Sequence, residues 1–188
     1  MSIRIDTERL YIREILPEDE AAMFEMDNDP EVHRFLGNNP LKTIEESRAM
    51  IAFIRQQYVD AGIGRWAVIE KSSGEFIGWT GFKLMRESVN GHTDFIDFGY
   101  RHLRRFWGKG LASEAARAAL NYGVQTLDIQ DVYAMTDIDN GASRHILESL
   151  GFKLVEIFPY DGSPGWRAAG LPTTWFKLQR DERVNGEW

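Results

Sequence analysis

Hydrophobic and polar positions follow two different periods along this chain. Residues 3–14, IRIDTERLYIRE, mix β-branched and polar side chains as a strand does, with a break at Asp6-Thr7. Pro17 followed by Glu18, Asp19 and Glu20 predicts a helix start, because proline suits a first turn and acids suit the positive end of a helix dipole. Asp29-Pro30 stops that helix near Asn28. Thr43-Ile44-Glu45-Glu46 has the capping-box form, and Ile44, Ile51, Ile54 and Tyr58 keep a helical period as far as Gly62.

Beyond Gly62 the pattern shortens to strands. Apolar runs at 66–69, 76–82 and 95–100 are separated by the turn signals Ser72-Ser73-Gly74 and Asn90-Gly91. An alanine-rich helix over 110–126 carries Leu111, Ala115, Ala119 and Tyr122 on one stripe. A strand at 132–136, a helix at 142–150 closed by Gly151, and strands at 152–158 and 173–178 complete the reading. Two helices, a meander of strands, then alternating strands and helices predict one α/β domain over residues 1–188, with a mixed sheet flanked by helices.

Composition narrows the chemistry. A chain of 188 residues can bury a hydrophobic core of its own, and with no cysteine it has neither disulfides nor a cysteine nucleophile. The four histidines His33, His92, His102 and His145 show no metal-binding spacing, so no metal site is expected. A net charge of −7 opposes a nucleic-acid partner. No apolar run approaches membrane-spanning length and the first residues lack the apolar core of a signal peptide; the expectation is no membrane partner and a cytoplasmic location.

The segment FIDFGYRHLRRFWGKGLASEAA, residues 95–116, reads as a strand, a basic turn, and glycines opening a helix. Arg101, Arg104, Arg105 and Lys109 bring four cations into an otherwise acidic chain, and Gly108 and Gly110 leave the backbone bare. Free N–H groups, a helix dipole and cations together make an anion cradle suited to a diphosphate. The pattern G-x-x-x-x-G-K-[ST] does not occur, and Gly108-Lys109-Gly110-Leu111-Ala112-Ser113 lacks the third glycine of a dinucleotide fingerprint. Asp128, the acid at about the right distance for a ribose, precedes the next strand instead of ending it.

These residues resemble the GNAT acyltransferases. The family's phosphate loop, (R/Q)-x-x-G-x-(G/A), is matched by Arg105-Phe106-Trp107-Gly108-Lys109-Gly110, and an extended form by Trp107 through Ala115, including Leu111, Ala112 and Ser113. Thr7-Glu8-Arg9-Leu10 with Ile12-Arg13, Asn140-x-x-Ser143 and Leu150-Gly151-Phe152 are similar to the RimJ/RimL-like branch of ribosomal-protein N-terminal acetyltransferases. The resemblance implies a mostly antiparallel sheet of about seven strands with a splayed centre, flanked by about four helices. It also implies acetyl-CoA as co-substrate, its pantetheine arm pairing with the strand that carries Phe98, Gly99 and Tyr100, with Asn140 and Ser143 also on the CoA side. Gly99 inside that strand is read as a bulge.

Without cysteine, the expected chemistry is direct attack of an acceptor amine on the thioester. Asp97, where relatives often carry glutamate, is the candidate base, with Asp94 and His92 behind it. The tyrosine that many relatives place four residues before the Gly-Phe pair is Leu147 here, and the resemblance puts Ser143 in its role as acid. Phe35, Trp79, Tyr160 and Trp166 are candidate acceptor-groove residues, with His33 nearby; they come from the 29–42 and 159–172 segments and the strand between. The acceptor is expected to be a protein N-terminal or small-molecule amine, and a homodimer is common among relatives. The alternatives are a longer acyl donor, a non-catalytic acyl-CoA sensor, and a nucleotide-dependent oxidoreductase.

Overall fold

The computed structural model describes residues 3–162 and 170–178. The chain runs β1 (Arg4–Asp6), β2 (Leu10–Glu14), α1 (Glu20–Asn28), α2 (Pro30–His33), α3 (Ile44–Ala61), β3 (Arg65–Glu70), β4 (Phe76–Met85) and β5 (Phe95–His102). It continues through α4 (Leu111–Gln125), β6 (Val132–Asp137), α5 (Gly141–Ser149), β7 (Phe152–Pro159) and β8 (Pro172–Leu178). The strands form one eight-stranded sheet in the order β1-β2-β3-β4-β5-β6-β8-β7. All neighbours are antiparallel except β5 and β6.

Local chemistry accounts for most of these boundaries. The Thr43 hydroxyl accepts the Glu46 N–H, the Glu46 carboxylate answers the Thr43 N–H, and Gly62 closes the other end of α3 in a left-handed turn at φ 68°. Among the described residues eight strands stand where about seven were expected, because Thr7 breaks the first run: its hydroxyl and the Leu10 backbone fold the chain back between β1 and β2. The further helix is α2, in the stretch read as a connection. Asp29 caps it by accepting the Glu31 N–H at 2.9 Å, and Pro30 fits its first turn.

The two faces of the sheet have different jobs. On one, α4 lays Leu111, Ala115, Ala116, Ala119 and Leu120 against Phe82 and Phe98, and α5 adds Leu147. The small stripe on α4 permits close approach: a Cβ on Gly123 would stand 2.2 Å from the Phe82 ring. On the other face α1 and α3 bury Met23, Ile51 and Ile54 on Ala67 and Ile69, and a separate cluster joins Met85, Phe95, Phe158, Tyr160 and Trp175. No helix among the described residues is long and apolar enough to cross a membrane.

This close helix–sheet contact gives a stability test. Gly123→Val should cost about 1–3 kcal/mol by overpacking, read as a lower urea midpoint with an unchanged slope.

Candidate active site

Strands β5 and β6 pair over only two positions, Ile96 with Val132 and Asp97 with Tyr133. From Phe98 onward β5 stays bonded to β4 as far as His102, while β6 follows β8. A wedge therefore opens toward the carboxyl ends of two parallel strands, with Asp97 at its apex. The turn 103–110 and the first turns of α4 and α5 stand at its mouth. There Gly108 and Gly110 hold positive φ values of 71° and 75°, which L side chains adopt only with strain. The N–H groups of residues 108–113 find no acceptor among the described residues. A Cβ at Gly108 would meet nothing within 4 Å, and residues 108–110 are exposed.

The expected cation cluster is only partly present at that turn. Arg101 pairs with Asp27 at 2.6 Å, Arg104 with Asp29 at 3.1 Å, and Arg105 with Glu25 and with Glu75. Three of the four basic residues therefore fasten α1, its continuation and the β3–β4 turn to β5 and the turn that follows it. Lys109 has no carboxylate partner among the described residues and lies 4.9 Å over the Phe106 ring. Phe106, Leu111 and Phe98 are buried in the core, leaving their backbone to serve the opening, whereas Trp107 is half exposed and donates its indole N–H to the His102 carbonyl at 2.8 Å. Ala112 and Ser113 are half-buried in the first turn of α4.

At the apex Asp97 is buried and its Oδ2 accepts from Arg65, which also donates to the Gly81 and Asp97 carbonyls. Burial raises the Asp97 carboxyl above its ordinary range against the opposing pull of Arg65 and Lys83. Burial likewise lowers Arg65, and Lys83 across the strand pair is lowered by its own desolvation and by Arg65. Gly99 is not a bulge: the β4–β5 register runs unbroken through it. Its hydrogen side chain instead makes room for the Arg65 guanidinium, which would lie 3.1–3.3 Å from a Cβ there.

On the opposite face Tyr100 reaches out of β5 to α5. Its hydroxyl donates to the Ser143 carbonyl at 2.8 Å and lies 3.2 Å from Ser143 Oγ. Burial pushes the Tyr100 phenol up, so it keeps its proton. Asn140 caps α5 by accepting the Ser143 N–H at 3.1 Å, and Leu147 is a core residue. Asp94 is exposed in a turn at φ 52°, whereas His92 stacks on Trp175 at 4.9 Å and lies 5.9 Å from the ring of Tyr133, the residue paired with Asp97.

Comparison with known proteins settles the family. Residues 9–153 match the family described as "Acetyltransferase (GNAT) domain". The chain belongs to the GNAT acetyltransferase family. It is 32% identical over 147 residues to the uncharacterized N-acetyltransferase p20 of Bacillus licheniformis, covering 78% of this chain and 80% of that protein. It is 26% identical to the FsC-acetyl coenzyme A-N(2)-transacetylase of Aspergillus fumigatus, covering 98% of this chain and 83% of that one. In fold it is similar to the ribosomal-protein-S5-alanine acetyltransferase of Vibrio fischeri, with a TM-score of 0.75 at 14% identity over 96% of this chain and 98% of that chain. The protein is an acetyl-CoA-dependent N-acetyltransferase, transferring an acyl group from acetyl-CoA to an amine.

Within this acetyltransferase the acceptor-groove expectations divide. Trp79 shares the Asp97 face and is held between two cations, 5.1 Å from Arg65 and 5.2 Å from Arg101. Phe35 is half-buried after α2, under Arg34 at 5.2 Å. His33 is buried with its Nε2 3.9 Å from Asp27, and burial and Arg101 lower its imidazole against the pull of Asp27. Tyr160 is 1% exposed in the cluster with Phe158 and Trp175, so its ring packs the core instead of lining a groove. Trp166 lies outside the described residues. Sequence reasoning missed the roles of Arg65 and Asp27, because nothing local marks a charge destined to pair with a strand residue 32 or 74 positions away.

The acetyltransferase should also carry an acid-sensitive histidine. Burial lowers His102 from 6.5 to about 4, and its Nε2 meets no hydrogen-bond partner. The unfolded chain takes up this proton first, so the stabilisation is complete above pH 6.5 and is lost as pH falls toward 4. The loss is on the order of 3 kcal/mol. Urea unfolding at pH 7.5 and 4.5 should show a smaller acid loss for His102→Leu than for wild type, with His33 supplying part of the remainder.

Proposed function

We propose that this acetyltransferase works by direct attack within a ternary complex and that its acceptor is a free α-amine, of a protein N-terminus or of a small molecule. The observation that carries the reading is the wedge between β5 and β6, with a carboxylate at its apex and uncovered N–H donors at its mouth. Those donors, the positive end of α4 and Lys109 fit a diphosphate, and the unpaired edge of β5 beyond Phe98 fits an amide-bearing arm. Acetyl-CoA, when bound, supplies the acetyl thioester.

Asp97 Oδ1 has no hydrogen-bond partner among the described residues, while Arg65 occupies Oδ2. From there Asp97 takes the proton released as the amine nitrogen bonds to the carbonyl carbon, directly or through a water. Backbone N–H groups near Gly99 and Tyr100 donate to the carbonyl oxygen as charge gathers on it. Ser143 donates its hydroxyl toward the sulfur as the carbon–sulfur bond breaks, and Asn140 fixes the turn that carries it. An α-amine, with a pKa of about 8, is partly neutral at physiological pH, whereas a lysine near 10.4 is almost wholly protonated. The former therefore asks less of the base.

The RimJ/RimL-like assignment is part of the proposal. It is supported by the Trp107–Ala115 motif, the Thr7–Leu10 motif and the absence of tyrosine at Leu147.

Thiol release from acetyl-CoA, measured over a panel of α-amines and ε-amines, tests the reading. Turnover is expected on α-amines. Asp97→Asn should lower kcat roughly a hundredfold with CoA affinity nearly unchanged, in protein shown to be folded because Arg65 loses its counter-charge. Gly110→Asp, which sets a carboxylate at the diphosphate, should abolish CoA binding. Tight CoA binding without turnover on any amine would favour a sensor over an enzyme.

A further inference from the structure

With Arg101, Arg104 and Arg105 each engaged by acids of other elements, the cation that joins Lys109 at the glycine turn comes from the far end of the chain. Arg9, in the loop before β2, donates Nη1 to the Lys109 carbonyl at 2.9 Å and Nε to Glu114 Oε2 at 2.6 Å. The other oxygen of Glu114 accepts the Thr7 hydroxyl at 2.6 Å and the Arg9 backbone N–H at 3.0 Å. Lys71 holds the same loop from below, its N–H on the Arg9 carbonyl and its ammonium on the Thr7 carbonyl. Burial pushes the Glu114 carboxyl up, but the bonds from Thr7 and Arg9 outweigh it and hold the group below its ordinary range, so it is ionised.

This leaves Arg9 Nη2 without a partner among the described residues, 3.5 Å from where a Cβ on Gly110 would stand. The guanidinium fork is planar, so fixing Nε and Nη1 also fixes the direction of Nη2 before any ligand arrives. Glu114 sits in the first turn of α4, where its charge would repel an anion at the helix mouth if Arg9 did not cover it.

We propose that Arg9 is a diphosphate-recognition residue of the donor site, and that Glu114 is the positioning residue that aims it. The proposal rests on the reading of the 106–110 turn as the CoA diphosphate site. The two sequence motifs, Thr7–Leu10 and Trp107–Ala115, are then halves of one device.

Titration calorimetry of the full chain with CoA and with pantetheine, which lacks the diphosphate, tests this. Arg9→Gln should weaken CoA binding about tenfold or more, losing one charge-assisted contact and uncovering Glu114, while pantetheine binding stays as in wild type. Adding Glu114→Gln to Arg9→Gln should recover part of the loss. Arg9→Lys, which keeps the charge but not the fork, should fall between and serves if the glutamine variant does not fold. Wild-type CoA affinity in a folded Arg9 variant, or equal weakening of CoA and pantetheine, would overturn the role of Arg9 alone. A wild-type chain that binds no CoA would remove the diphosphate reading and the role of Arg9 with it.

Discussion

A backbone N–H or carbonyl in the middle of a sheet needs a partner, and strands normally supply one another along their whole length. Between β5 and β6 that supply stops after Asp97 and Tyr133. Parallel pairing makes both strands part toward their carboxyl ends, the end from which the chain turns into α4 and α5. One interruption of a ladder therefore brings an open strand edge and two helix amino ends to one place. In open α/β sheets such crevices are where ligands bind. Here the wedge presents an unpaired strand edge beside exposed N–H groups at the start of α4.

Keeping β5 in place while it loses β6 takes specific side chains. Arg65 crosses from β3 over the bare Gly99 and bonds the Gly81 and Asp97 carbonyls, tying three strands on the Asp97 face. Tyr100 ties the opposite face to α5 through Ser143. The buried Arg65–Asp97 and Arg101–Asp27 pairs flank Trp79, so acid, cation, ring, cation and acid alternate across the sheet. Removing water from such pairs costs about as much as their attraction returns, so their value lies in fixing positions more than in net stability. A carboxylate held this way is fixed in position, and its burial raises its basicity against the pull of Arg65.

Much of this was legible along the chain because it is coded locally. The Thr43 capping box, the Gly62 and Gly151 stops, the Ser72-Ser73-Gly74 turn and the alternation of β5 depend on contacts within a few residues. The glycine turn is of the same kind: φ, bare N–H groups and the start of α4 follow from Trp107 through Leu111. Asp97 and Phe98 fall on opposite faces as a period of two requires. The short helix α2 escaped notice because its Asp29 cap and Pro30 also read as a stop.

The partners of charges are another matter. Arg105 and Arg9 look alike in a sequence, yet one turns to Glu25 and Glu75 while the other turns to Glu114 and the Lys109 carbonyl. Gly99 reads as a bulge until a guanidinium from 34 positions away is found lying on it, and Tyr160 reads as a groove residue until β8 covers it with Trp175. Residue types and local spacing determined the elements, the glycine turn and the family chemistry, since those arise from backbone geometry and near neighbours. Which cation stands at the turn, which acid is neutralised and which ring is buried were decided only when the sheet assembled, because each depends on groups that meet across strands and helices remote in the chain.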